Sequence, residues 1–343
     1  MSLQPNPLLS IALPTYNRAD FLDCSLAEHI PAFRKHNIQI FISDNASTDD
    51  TATIVEKWKA DYPLLHYSRN SENLGADLNF QNALLLSTTE YTWLLGDTSK
   101  IHAKDIETVL NLLSTDKTYD AVLVNLVGKI DIPSTTYQDA DTLLEDLGGL
   151  MSCMSCLIYN KSMIASANFP RYTDSNFIQT GIIFESIARR PFMIHWLHQV
   201  SIKSLENQRL TKTSWAHTDK IFKIGLTSWV NFILSLPVSY SLASKLKACT
   251  RFGEVSGAFT VKGMVSLRSR GLLNYRVYRE YRKVLRLAVN YPGWIVMVIS
   301  VFRNHCSKAW PSCTCGGRVI PPHRHAIRLP CTQLLSVNAC QHE

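Results

Sequence analysis

Short apolar runs alternate with stretches of helical periodicity and polar loops along the first hundred residues. Residues 8–13 are apolar and stop at Pro14, and residues 38–43 (Ile-Gln-Ile-Phe-Ile-Ser) form a second, β-branched run. Both predict buried strands. Between them Phe21, Leu22, Leu26, Ile30 and Phe33 recur at helical spacing within residues 19–34. A polar loop from Asp44 to Thr51, rich in capping residues, precedes a helical pattern over residues 52–60. Residues 64–68 read as a third strand, Asn73-Leu74-Gly75 opens a helix to about residue 87, and residues 91–95 read as a fourth strand ending at Gly96-Asp97. This order predicts an α/β fold: a mostly parallel sheet flanked by helices, Rossmann-like in its first half, with ligands beyond the C-terminal ends of the strands.

Further along, residues 105–113 predict a helix, 121–127 a strand, 132–141 an irregular polar stretch, and 162–167 and 181–188 helices. The pattern changes after about residue 241. Residues 262–286 hold eight Lys or Arg and one acid, Glu280, interleaved with apolar and tyrosine side chains, and an apolar run follows at 294–302. Two readings stand: a membrane-surface element, or a helical extension packed on the main domain with its basic face solvated. The apolar run is far below the roughly 20 residues of a spanning helix. The predicted organisation is a main domain over 1–245, with halves at about 8–100 and 101–245, then a basic amphipathic helical extension over 246–304. A Cys/Pro/His-rich tail over 305–343, expected to be poorly ordered, completes the chain.

Composition narrows the classes. Hydrophobic residues make up 46% of the 343, enough for a real core, which excludes disorder of the whole chain. Thirty-five Lys and Arg against twenty-eight Asp and Glu give a formal charge of +7, which suits polyanions, anionic membranes or phosphorylated substrates. Met1 to Leu9 carries no basic n-region, so a cytoplasmic location is expected. Of nine cysteines, Cys24 and Cys249 stand alone and read as reduced packing residues. Cys153 and Cys156 have CxxC spacing without a second pair, and Cys313, Cys315, His323 and His325 match no standard zinc module. No Walker A sequence, no GxGxxG after a strand and no nucleic-acid-binding module is present.

Four short motifs fall in order: Leu13-Pro14-Thr15-Tyr16-Asn17-Arg18, Ser43-Asp44-Asn45-Ala46-Ser47-Thr48-Asp49, Asn73-Leu74-Gly75, and Leu94-Leu95-Gly96-Asp97. Their order and spacing resemble the nucleotide-binding half of family 2 glycosyltransferases, inverting enzymes of GT-A fold. The resemblance implies a nucleotide-sugar donor bound by Pro14, Thr15, Tyr16, Arg18, Asp44, Asn45, Gly75, Asp77, Asp97 and Lys100. Tyr16 matches the wall of the base pocket. Asp44 matches the carboxylate that accepts from the base, with capping of its own loop as the alternative; a carboxylate directly after a buried strand calls for a ligand or a neighbouring donor.

The family's Asp-rich cation-binding cluster reads Gly96-Asp97-Thr98-Ser99-Lys100, where Asp97 alone is a carboxylate. Either a weakly held Mg or Mn is completed by diphosphate oxygens and water, or a cation such as Lys100 supplements or replaces it, or this copy is catalytically impaired. For the general base that inverting transfer needs, the candidates are Asp174, in a polar loop, and Glu185, in an apolar helical run. His195 and His198 read as packing residues. The implied function is transfer of a sugar to a saccharide or lipid-linked acceptor in bacterial O-antigen or capsule synthesis, with peripheral membrane contact through 262–302. The rival readings are a non-catalytic nucleotide-sugar-binding protein, which the altered metal cluster allows, and a nucleotidyltransferase. The latter typically has a Gly-rich basic loop where Pro14 to Arg18 stand.

Overall fold

The computed structural model describes residues 4–205 and 215–302. The expectations for the tail, including its cysteines and histidines, lie outside them. The first half is built from β1 (Leu9–Thr15), α1 (Ala19–Lys35), β2 (Gln39–Asp44), α2 (Thr51–Asp61), β3 (Leu65–Arg69), α3 (Ala76–Leu86) and β4 (Tyr91–Leu94). All seven residues of β1 are buried, as a central strand covered on both faces requires. β1 pairs in parallel with β2 and β4, and β2 with β3, giving the order β3-β2-β1-β4. The loops after β1, β2 and β4 therefore gather at one edge.

The second half comprises β5 (Ser99–Lys100), α4 (Ala103–Leu113), β6 (Ala121–Leu126), β7 (Thr135–Tyr137), α5 (Ala140–Met151), β8 (Leu157–Asn160), α6 (Lys161–Ala165), α7 (Ile178–Ile187) and β9 (Ile194–Ser204). β8 runs antiparallel to both β4 and β6, while β5 and β7 run antiparallel to β9. β6–β9 is parallel, with an irregularity between Val124 and Asn125. The nine-stranded sheet is thus mixed. This corrects the expectation of a mostly parallel one, which holds only for the first half.

A π-helical segment, Phe222–Ser228, continues into α8 (Trp229–Ser235), followed by α9 (Leu242–Ser256), α10 (Val261–Ser269), α11 (Tyr275–Ala288) and α12 (Gly293–Val301). The boundary expected at 245/246 falls inside α9. That helix packs on α5 so closely that a Cβ on Gly149 would lie 3.1 Å from the Phe252 backbone. Trp229 Nε1 donates to Ala248 O at 3.2 Å, and Lys129 Nζ donates to Val255 O at 2.9 Å. Arg268 donates to the Phe302 carbonyl, tying the end of α12 to α10. α12 buries Val296, Ile299 and Ser300 and leaves Trp294, Met297, Val301 and the following Phe302 exposed, Trp294 at 61% and Phe302 at 65%. α11 exposes Arg276, Arg279, Arg282, Lys283 and Arg286. No helix among the described residues is long and apolar enough to cross a membrane.

Cys153, Cys156 and Cys249 are buried, Cys24 is half-buried, and none of the four forms a disulfide among the described residues. Burial pushes the Cys156 thiol up, away from the reactive thiolate. His195 on β9 packs beside the Tyr119 ring, and His198 beside Trp196.

Candidate active site

The three strand ends are joined by side chains. Thr15, the last residue of β1, is buried and its Oγ1 donates to Asp97 Oδ2 at 3.2 Å. Arg18, the N-cap of α1, donates from Nη1 to Asp97 Oδ1 at 3.4 Å. Pro14 is buried within β1 and Tyr16 is half-buried on the loop after it. Asn17 adopts φ 47°, and its Oδ1 accepts the Thr48 N–H at 2.7 Å, so the loops after β1 and β2 brace each other.

Asp44, at the end of β2, is 0% exposed. Its Oδ2 accepts from Tyr67 Oη at 2.6 Å with Arg69 Nε 3.6 Å away, and its Oδ1 accepts the Ser47 N–H at 2.9 Å. Tyr67, Ser47 and Arg69 thus supply the donors and the charge that a buried carboxylate requires. Burial and the Asp44 carboxylate together hold the Tyr67 phenol protonated, well above its ordinary range.

Asn45 is a structural hub. Its amide donates to Asn73 Oδ1 at 2.7 Å and Gly75 O at 3.2 Å, and its Oδ1 accepts the Leu74 N–H at 2.9 Å. Gly75, N-cap of α3, has φ 80°, a conformation that glycine adopts without strain. Asn79, which the sequence reading missed, is buried on α3 and donates to Thr15 O at 3.3 Å and Ser43 O at 3.2 Å. Its Oδ1 accepts from Ser43 Oγ at 2.7 Å. Ser155 was also missed; it accepts the Gly96 N–H at 3.0 Å and bonds Ser99 Oγ at 2.9 Å, fixing the loop that carries Asp97. A small polar residue in an apolar neighbourhood was the available signal for both.

Lys100, the last residue of β5, has a partner on α1. Its ammonium pairs with Glu28 on α1 at 2.5 Å. Side chains alternate along a strand, so with Ser99 bonded to Ser155 beside the Asp97 loop, Lys100 is sent to the α1 side. The pairing with Lys100 also draws the Glu28 carboxyl below its usual range. His29, on the same helix, hydrogen-bonds through Nδ1 to Ser25 O at 2.7 Å and accepts the Ile101 N–H on Nε2 at 3.0 Å, which anchors the far end of the Asp97–Lys100 stretch. Burial pushes its pKa down to about 4, so the imidazole is neutral.

Of the two general-base candidates, Glu185 accepts from Tyr172 Oη at 2.8 Å and pairs with Arg171 Nε at 3.1 Å on α7. Asp174 is exposed in the turn before α7, at φ 64°. Asp77, in the first turn of α3, accepts the Asn176 N–H on Oδ2 at 2.9 Å, joining the donor-side helix to the Asp174 turn.

A divalent cation asks for several hard oxygen ligands. The site offers one carboxylate, Asp97, and no group of three or more His, Cys, Asp or Glu able to hold a metal is found among the described residues. Such a set suits only a cation whose remaining ligands arrive with a diphosphate.

Residues 10–172 match the family model described as Glycosyl transferase family 2. Over this segment the chain is similar to family 2 glycosyltransferase domains. Over 107 residues the chain is 41% identical to the abequosyltransferase RfbV of Salmonella typhimurium, a stretch covering 30% of this chain and 31% of that protein; the match spans about a third of the relative's length. The fold is shared with S. aureus TarS in complex with UDP-GlcNAc, at TM-score 0.50 and 14% identity over 85% of this chain and 90% of that one. It is shared equally with the Pyrobaculum calidifontis mannosyltransferase PcManGT in complex with GDP-Man and Mn2+, at TM-score 0.50 and 14% identity over 87% and 88%. The architecture is therefore of GT-A type.

Proposed function

We propose that the chain is an inverting glycosyltransferase that moves one sugar from a nucleotide-sugar donor to a saccharide or lipid-linked acceptor in surface-polysaccharide synthesis. The observation that carries this reading is the meeting of Thr15, Arg18 and Asp97 at the C-terminal ends of β1 and β4 inside the segment that matches the family 2 model. The abequosyl transfer named for the Salmonella relative supports an O-antigen setting and a sugar of that kind.

In the transfer, the acceptor hydroxyl attacks the anomeric carbon as its bond to the diphosphate breaks. Asp174 takes the hydroxyl proton. Arg18 supplies positive charge at the donor end, where negative charge develops on the leaving diphosphate. Where a Mg or Mn ion accompanies that diphosphate, Asp97 is the carboxylate that would hold it, and the ion would neutralise the departing charge.

The exposed apolar row of Trp294, Met297, Val301 and Phe302, near the arginine-rich α11, supports contact with an anionic membrane surface through 262–302. Incubating the purified protein with labelled nucleotide-sugars and a membrane lipid extract tests the activity. Label should enter the lipid or saccharide fraction with at least one donor, and no transfer from any member of a broad panel would sink the reading. Asp174→Asn should abolish transfer and leave nucleotide binding intact.

A further inference from the structure

The turn that presents Asp174 is held in a costly shape. Asp174 at φ 64° and Asn176 at φ 68° are both left-handed without being glycine. Such conformations persist when their surroundings over-determine them. On the two flanks, aromatic packing supplies part of that. Phe177 meets Trp229 edge-on at 4.9 Å, and Tyr172 fills the space over Gly181, where a Cβ would come within 2.4 Å of its ring. Between the flanks, the backbone is held by a single carboxylate from another element. Asp77 Oδ2 accepts the Asn176 N–H at 2.9 Å, and the dipoles of the nearby Ile178 and Ser175 amides also favour the charged form of this carboxyl. Amides converging in this way form an anion-binding concavity, filled here by a side chain 99 positions away in sequence.

The cost of this arrangement is visible on the carboxylate. Asp77 is 6% exposed, and its Oδ1 has no hydrogen-bond partner among the described residues. Burial above all, with the nearby Asp174 charge, pushes its pKa up to about 6 against the pull of the three amides. An asparagine would still accept one amide proton without burying a charge. It would also turn an NH2 group toward the remaining N–H groups, which a carboxylate accepts and an amide nitrogen opposes.

We infer that Asp77 is a positioning residue, whose carboxylate clamps the amides of the 175–178 turn and thereby fixes Asp174 for attack by the acceptor. This rests on the reading of Asp174 as the general base. The proposal separates Asp77 from a donor contact, because its effect is on turnover and not on donor affinity.

The test compares Asp77→Asn and Asp174→Asn by steady-state kinetics, nucleotide binding and thermal unfolding. D77N should lower kcat at least about 10-fold, since small misplacements of a catalytic group have effects of that order. Donor KM and nucleotide affinity should stay near wild type, and the melting temperature should hold or rise because a buried charge is gone. An inactive D174N beside a D77N with normal kcat would remove the positioning role and leave the base assignment standing. An active D174N would overturn both. A D77N whose donor KM rises at unchanged kcat would make Asp77 a donor contact and overturn the proposal. Should D77N fail to fold, Asp77→Glu keeps the charge but displaces it by one methylene; wild-type kcat in that variant would also overturn the proposal.

Discussion

The Arg18 guanidinium lies 3.4 Å from the Asp97 carboxylate, joining the N-cap of α1 to the loop after β4 across 79 residues of sequence. With the side chains 21% and 3% exposed, the pair is largely shielded from water. Removing one partner of a buried charged pair leaves the other undercompensated, at roughly 1–3 kcal/mol or more. Arg18→Ala should therefore lower the melting temperature by several degrees, an order of magnitude set by about 1 kcal/mol per few degrees in a domain of this size. Donor KM should rise about 10-fold, the equivalent of ~1.4 kcal/mol. Calorimetry and donor titration read the two effects separately.

Lys100→Met should leave kcat/KM within about threefold of wild type. Its ammonium is engaged by Glu28, and partly exposed pairs of this kind contribute roughly 0–1 kcal/mol. A loss of turnover far beyond that would return Lys100 to the diphosphate.

Glu185→Gln should reduce stability by about 1 kcal/mol through its contacts with Tyr172 and Arg171 while transfer continues. Denaturant titration together with a transfer assay distinguishes it from Asp174→Asn, for which the opposite pattern is expected.

Acid should weaken the fold through His29. Its pKa is about 6.5 in an ordinary exposed imidazole and about 4 in the buried site. Above pH 6.5 the imidazole is neutral folded or unfolded and makes no difference. As pH falls from 6.5 toward 4, the unfolded chain takes up a proton that the folded chain refuses, and stability drops by up to about 3 kcal/mol. Asp77 acts with the opposite sign: its raised pKa favours the folded state at low pH and loses that advantage between 3.8 and about 6. The difference between wild type and His29→Gln in denaturant titrations from pH 4 to 7.5 isolates the imidazole. Parallel curves for the two proteins across that range would contradict the prediction.

Binding to vesicles rich in phosphatidylglycerol should be measurable by sedimentation and weaken with salt. Replacing Trp294, Met297 and Phe302 together by Ser should abolish it. Binding that is indifferent to those residues would place the contact elsewhere.

The first half of the fold was legible because β1 and β2 are mainly apolar and α1 buries Leu22, Leu26, Ile30 and Phe33 on one face, so local pattern and burial largely coincide. β9 escaped because Ile194–Ser204 mixes His195, His198, Gln199 and Lys203 into a strand whose pairing shifts register beside β6. β5 is two residues long, too short for any periodicity. Asp44 was recognised as a carboxylate in need of donors, but whether Tyr67 or a ligand supplied them depended on how β2 and β3 pair. The pairing of Lys100 with Glu28 was not legible because neighbourhood in sequence does not give the face of a strand. Asp77 was noted only as a donor contact, since the turn it holds begins almost a hundred positions later.

The close seating of α9 on α5 sets where the chain can be cut. With Gly149 against the Phe252 backbone and Trp229 bonded to Ala248, a version ending at 245 would strip the cover from the inner face of α5 and leave a sticky, half-built body. The smallest piece worth expressing extends at least through Ser256.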